Sequence, residues 1–144
     1  MIETPDIGVI AGNFDIIHPG YIELFKEINN NCNKQVILLH DDPSIERPEK
    51  LKPILTIEER KEILKHFFNQ PTFLSYNTES ELLILLRAVN PDVRFLGDDY
   101  VDKDYTGKEL SIPIHWVNRS HGWSTTEFKQ KIAIPFIVGI SDTE

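Results

Sequence analysis

The chain has 144 residues, with 15 Lys and Arg against 23 Asp and Glu for a formal net charge of −8, and 40% of it is hydrophobic. That is one domain's length with apolar material for an ordinary core, which excludes intrinsic disorder. The acidic balance excludes a surface built to track nucleic acid, which needs clustered Lys and Arg, but not a small phosphorylated ligand, for which a few local donors suffice. The single cysteine, Cys32, forms no intrachain disulfide and reads as a buried, inert thiol. Met1 to Asp6 lacks a basic signal-peptide region and no apolar run approaches the ~20 residues of a membrane span, so the expectation is a cytoplasmic protein without membrane contact.

In chain order, Ile7 to Ala11 predicts a buried strand, Gly12 to His18 a loop, and Pro19 to about Asn31 a helix with Ile22, Phe25 and Ile28 turned inward. Gln35 to His40 predicts a second strand, and the polar, proline-bearing stretch Asp41 to Pro53 a long mobile loop. Thr56 with Glu59 predicts a capping box that opens a helix through about Phe68, with Ile57, Leu64 and Phe67 inward. Thr72 to Tyr76 is a third strand, and Thr78 with Glu81 a second capping box whose helix ends at Asn90-Pro91. Val93 to Gly97 and Ile112 to Val117 are strands on either side of a charged loop. A last helix is expected from Ser124 or Thr125 to Ala133, stopped near Pro135.

This alternation predicts an α/β fold, an open parallel five-stranded sheet with helices on both faces. Residues 1–134 form the domain and 135–144 a tail. The tail's apolar Phe136, Ile137 and Val138 cover either the chain's own surface or a second copy. Ligands of such sheets bind beyond the carboxyl ends of the strands, so the loops there hold the candidate site.

The first of these loops runs Gly12-Asn13-Phe14-Asp15-Ile16-Ile17-His18-Pro19-Gly20-Tyr21. Glycines allow close backbone approach, and a helix N-terminus behind His18 favours an anion. The same residues also make a plain strand-to-helix turn in which Asp15 and His18 only cap. Arg60 stands in the first turns of its helix, where the dipole disfavours a cation; it either meets a ligand or pairs with Asp41 or Asp42.

Four segments resemble, in order, the motifs of the HxGH nucleotidyltransferases, in particular the small cytidylyltransferases of the glycerol-3-phosphate cytidylyltransferase type. The first loop resembles G-x-F-D-x-x-H-x-G-H. Lys52-Pro53 with Glu58-Glu59-Arg60 resembles the lysine loop and E-E-R helix start. Gly97-Asp98-Asp99-Tyr100 resembles G-D-D-W or G-D-D-Y, and Arg119-Ser120-His121-Gly122-Trp123-Ser124-Thr125-Thr126 resembles R-T-x-G-x-S-T-T. The resemblance implies a Rossmann-like fold, a homodimer, and transfer of CMP from CTP to a small alcohol phosphate such as glycerol 3-phosphate, with Mg²⁺ bound on the nucleotide phosphates and pyrophosphate released. It casts His18, Tyr21, Lys52 and Arg119 as catalytic. Gly12, Asn13, Phe14, Asp15, Gly20, Asp98, Asp99, Ser124 and Thr125 would bind nucleotide, and Arg60 with Lys50 the substrate. No residue is assigned as a metal ligand, and Asp15 is expected to orient its neighbours.

One position departs from the pattern. Tyr21 stands where the family has its second histidine, and a phenol of pKa about 10 cannot become cationic near neutral pH. Loss of such a donor typically costs roughly 10²–10³ in rate. Three outcomes stay open: another cation compensates (His121 or His40), the enzyme is slow, or the chain is a weakened nucleotide-binding homologue. A sugar-phosphate adenylyl- or cytidylyltransferase is the alternative enzyme.

Overall fold

The computed structural model describes residues 3–137. Five strands, β1 (Ile7–Gly12), β2 (Lys34–His40), β3 (Thr72–Tyr76), β4 (Val93–Gly97) and β5 (Ile114–Val117), form one parallel sheet in the order β3-β2-β1-β4-β5. Between them lie α1 (Pro19–Asn31), the short α2 (Pro43–Glu46), α3 (Ile57–Leu64) and α4 (Glu79–Val89), and α5 (Thr125–Ile137) closes the described chain. The expected fold class is thereby met. Ile10, Ile37, Leu39 and Phe95 pack with Phe25 and Ile28 of α1 and Leu64 of α3 on one face, while Val9, Val36 and Leu38 pack with Leu82 and Leu86 of α4 on the other.

Strand order reverses at β1, and there the sheet splits. β1 matches β2 from Ile7↔Lys34 to Gly12↔Leu39, but pairs with β4 only at Gly8↔Val93 and Val9↔Arg94. Beyond Val9 the carboxyl ends of β1 and β4 therefore part, opening the crevice expected at a topological switch point.

Both capping boxes form. Thr56 and Thr78 accept from the backbone N–H of Glu59 and Glu81, whose carboxylates accept in return from the N–H of each threonine. Asn90 ends α4 in the left-handed region at φ 47°.

Several boundaries correct the expectations. Asp42 caps Ser44 N–H and Pro43 opens α2, so residues 41–53 are not one featureless loop. α3 ends at Leu64, and tighter turns carry the chain on so that Phe68 still reaches the core. β5 begins at Ile114, because Pro113 has no N–H to give the ladder and offers its carbonyl to Arg94 N–H. α5 continues through Pro135 to Ile137. A proline removes one donor to the carbonyl four residues back, and on an exposed helix water serves that carbonyl instead. Phe136 and Ile137 are 83% and 77% exposed, and Val138 lies outside the described residues. On α1 the inward stripe includes Tyr21 and Leu24 with Phe25 and Ile28, in place of Ile22.

Gly8 lies where β1 meets the end of α1. A Cβ there would sit 2.5 Å from Cys32 Sγ and 2.8 Å from Phe95 Cε2, both in the packed interior. Gly8→Ala should lower stability by about 1–3 kcal/mol, read as a lower urea midpoint with unchanged slope.

Candidate active site

β1 delivers the chain to a turn in which Phe14 adopts φ 49°, a conformation that a bulky residue holds only when its surroundings enforce it. They do so by burying the ring against Tyr21 and Phe25. The turn carries Asp15 inward until it is fully buried, where its carboxylate accepts from Ile54 N–H and Leu55 N–H, both at 2.8 Å, and from Lys129 Nζ of α5. Burial pushes the carboxyl upward, but the Lys129 and backbone donors outweigh it and hold its pKa below the ordinary value. Asp15 is outside the lining of the neighbouring cavity. It ties together the first loop, the segment entering α3 and the last helix.

His18 ends the loop, 6% exposed, in a stack of rings: Tyr21 at 4.3 Å on one side and Trp123 at 5.5 Å. Its Nδ1 is buried without a hydrogen-bond partner. Burial first, and then His121 and Arg119 beside it, lower its pKa from the ordinary 6.5. His121 lies across Gly20 from it: a Cβ on Gly20 would meet His121 Cε1 at 2.7 Å and His18 Cε1 at 3.0 Å. Only glycine leaves this gap open. Of the two imidazoles expected to compensate, His121 is at the loop, but its Nδ1 accepts from Trp123 N–H, so in this geometry the ring is neutral and Arg119 is the cation beside His18. His40 is farther along the same cavity, stacked on Tyr76 and hydrogen-bonded to the Asn77 carbonyl. The Tyr21 hydroxyl is 3.0 Å from Thr125 Oγ1, and burial raises its pKa, so it remains a neutral phenol.

These residues form one end of a cavity of about 780 Å³ over the parted strands. Gly12, Asn13, Phe14, His18, Gly20 and Tyr21 line it from the first loop, Arg119, His121, Thr125, Thr126 and Lys129 from the last, and Arg47 with Lys50 from beyond β2. Of the sequence candidates, Arg60, Lys52, Asp98, Asp99 and Ser124 are not brought to it. Arg60 is 1% exposed, and its guanidinium donates to the carbonyls of Asn13, His40 and Asp41 at 2.8–2.9 Å, with the Asp41 carboxylate 3.6 Å away. The pairing alternative is the one realised: Arg60 is a buried clamp on these carbonyls and does not line the cavity. Lys52 is exposed beside Asp42, whose carboxyl is lowered first by the Ser44 hydroxyl and further by this lysine. Lys50 lines the cavity instead, because the turn closed by Lys50 N–H on the Arg47 carbonyl directs both residues there. Asp98 accepts from Arg119 N–H, bracing the loop that carries Arg119, and Asp99 is exposed against Gly97. Ser124 caps α5 by accepting from Glu127 N–H.

Among the described residues no group of three or more His, Cys, Asp or Glu is placed to hold a metal ion, and the Asp15 carboxylate is already engaged. The protein side chains do not fit a dedicated magnesium site.

The sequence matches the cytidylyltransferase-like family over residues 9–134. The chain belongs to that family. Among curated relatives, the bifunctional protein HldE of Hyphomonas neptunium is 30% identical over 105 residues, 72% of this chain but only 21% of that protein. An FAD synthase of Methanothermus fervidus is 32% identical over 104 residues, covering 69% of this chain and 68% of that enzyme. The lipopolysaccharide core biosynthesis protein of Thermoplasma volcanium shares the fold, with TM-score 0.57 and 21% identity over 79% of this chain and 95% of that one. The family's nucleotidyltransferase character is thus secure, and no helix among the described residues is long and apolar enough to cross a membrane.

Sequence reasoning missed Arg47, Arg94 and Thr126 as cavity residues. Thr126 was visible as the second threonine of the S-T-T motif; the arginines had no motif to mark them. For Arg60, Arg60→Met should leave three carbonyls unpaired and lower stability by about 3 kcal/mol or more, read by chemical denaturation. A substrate ligand would instead change KM with little change in stability.

Proposed function

We propose that this chain transfers a nucleotidyl group, CMP from CTP, to a small alcohol or sugar phosphate. In this reaction an oxygen of the acceptor phosphate attacks the α-phosphorus, the bond from that phosphorus to the β-phosphate bridging oxygen breaks, and pyrophosphate leaves. The observation that carries the reading is the buried His18 with an unpartnered Nδ1, set at a glycine-lined helix start and facing a loop that carries Arg119, His121 and Thr125. No protein nucleophile is needed; the residues position the two phosphates and neutralise their charge. His18 contacts the nucleotide phosphates. Arg119 supplies the positive charge that Tyr21 does not, with the His121 imidazole beside it as a hydrogen-bonding group, while Tyr21 orients the Thr125 hydroxyl. Lys129, tied to Asp15, keeps α5 against the first loop. Magnesium, in this proposal, arrives on the nucleotide phosphates without protein ligands of its own.

The FAD synthase relative, whose named product contains an adenylyl group, favours ATP as a second candidate donor. Pyrophosphate release measured with CTP and ATP, each against glycerol 3-phosphate and a set of sugar phosphates, separates the donors. Release with CTP and an alcohol phosphate is expected. Nucleotide binding without turnover by any acceptor would favour the weakened homologue. His18→Asn should lower kcat about 10²–10³-fold if the imidazole stabilises charge on the transferring phosphates.

The lowered pKa of His18 makes a second prediction with a definite sign. In the free protein the imidazole is neutral near pH 7, because burial first, and then His121 and Arg119 beside it, oppose its charge. A bound triphosphate brings negative charge beside it and raises its pKa, so binding takes up a proton between the two values. Affinity for CTP should therefore rise as pH falls from above the pKa of the complex towards that of the free protein. Calorimetry in buffers of different ionisation enthalpy should show net proton uptake, and His18→Asn should remove it.

A further inference from the structure

The cavity has a second end that the transfer chemistry leaves unused. β4 alternates, so Val93 and Phe95 enter the core beneath α1 while Arg94 points to the α4 side. Arg94 also marks the last place where β1 and β4 pair, at the root of the crevice. It is 4% exposed and lines the cavity. One guanidinium nitrogen, Nη1, donates to the Thr106 carbonyl, and the Tyr105 ring lies 5.4 Å from its Cζ. Its Nε is buried with no partner, and among the described residues no carboxylate comes within ion-pair distance. Glu79, which accepts the Thr106 hydroxyl at 2.7 Å, lines the same cavity and acts on Arg94 electrostatically from beyond ion-pair distance.

A buried guanidinium with an unpartnered donor and no carboxylate in direct contact is costly and rarely left so. If Arg94 served only to hold the 98–111 loop, its bond to Thr106 would suffice and the unpartnered Nε edge would have no purpose. A guanidinium edge matches an oxyanion in shape and charge. Tyr76, Tyr100 and Tyr105 line the cavity with it, and Arg47, Lys50, Arg94, Arg119 and Lys129 outnumber the Glu23, Glu27 and Glu79 of the same lining, giving this acidic protein a locally positive hollow for an anion.

We propose that Arg94 anchors a second anionic group of the acceptor, a carboxylate or phosphate remote from the phosphate that reacts. This rests on the transfer reading above, and it narrows the acceptor from any small phosphate monoester to one that is anionic at both ends. Arg94 is then a specificity-determining residue, and the other end of the cavity carries the nucleotide.

The probes are 3-phosphoglycerate and glycerol 3-phosphate, which differ in carrying a carboxylate or a hydroxymethyl group. Each is titrated calorimetrically into wild type, Arg94→Met and Arg94→Lys, with and without a non-hydrolysable CTP analogue. Wild type should bind 3-phosphoglycerate about tenfold more tightly or better, the scale of one charged hydrogen bond. Arg94→Met should bind both alike while its affinity for the CTP analogue is unchanged. Arg94→Lys, which keeps the charge and the fold but loses the planar fork, should show a reduced preference and decides the matter if the methionine variant does not fold. Equal binding of both probes by wild type, or a preference that survives both substitutions, overturns the proposal. Failure to bind any nucleotide would instead overturn the transfer reading, and the carboxylate preference is then read from the nucleotide-free titrations alone.

Discussion

The loops after β1 and β2 converge on one buried guanidinium. Arg60 leaves the first turns of α3 and gives its hydrogen bonds to carbonyls at positions 13, 40 and 41, which belong to two different strand ends. Asn13 and Asp41 lie beyond the strand ends, and His40, still paired with Tyr76 of β3, lies one residue past the last β1–β2 pair, Gly12↔Leu39. A cation near a helix start is unfavourable for the helix itself. Here the penalty is offset because the charge serves carbonyl oxygens that would otherwise be buried and unpaired, and because Asp15, Asp41 and Asp42 act electrostatically on it, against a larger effect of burial that lowers its pKa. The Thr56–Glu59 capping box fixes the start of α3 and hence where the arginine enters. The first loop, carrying Phe14, Asp15 and His18, therefore inherits its shape from a helix more than forty residues away in sequence.

Asp15 extends the same constraint to the end of the chain. Its two oxygens bind the backbone that leads into α3 and the lysine of α5, so the nucleotide loop, the α3 entry and the last helix are tied at one fully buried carboxylate. The position of α5 then sets Thr125 against Tyr21 and Trp123 against His18. This explains how a tyrosine is accommodated at position 21. In the helical stripe its ring continues the aromatic packing from Phe14 and Phe25, and its hydroxyl is satisfied by Thr125. Arg119 and the His121 imidazole stand instead on the opposite wall of the same gap.

Features set by neighbouring residues were legible in the sequence. Both capping boxes, the five strands and the left-handed stop at Asn90 depend on chemistry within a few positions, and β3 appears at the bounds expected for it. The errors share a different cause. Tyr21 and Ile22 are neighbours, and which one faces inward depends on the phase in which α1 leaves the first loop, set by tertiary contacts. Lys50 and Lys52 differ by two positions in a polar segment, and a single turn on Arg47 decides which reaches the cavity. Arg60 carried a correct anomaly, a cation against a dipole, but the three carbonyls that explain it come from distant loops. Arg94 sits in a strand whose apolar neighbours read as core, and nothing local announces that its face of the sheet opens into a cavity.

The local balance of charge resolves the apparent conflict between an acidic chain and a polyanionic ligand. Several acidic residues lie on exposed helix surfaces paired with lysines in the next turn, Glu23 with Lys26, Glu58 with Lys61 and Glu62 with Lys65, where they contribute little to stability. The cations of the cavity are different in kind. His18 has a buried nitrogen without a partner, and Arg94 a buried Nε without one, at opposite ends of one hollow. Each unsatisfied group costs roughly 1–3 kcal/mol of folding free energy, and a protein of ordinary stability tolerates few of them. Gln35 Oε1 and Asn77 Oδ1 are buried without partners as well, on residues outside the cavity lining, so an orphaned atom does not by itself mark a ligand; His18 and Arg94 differ in lining the cavity, and on the proposed reading phosphate and carboxylate oxygens would serve them there.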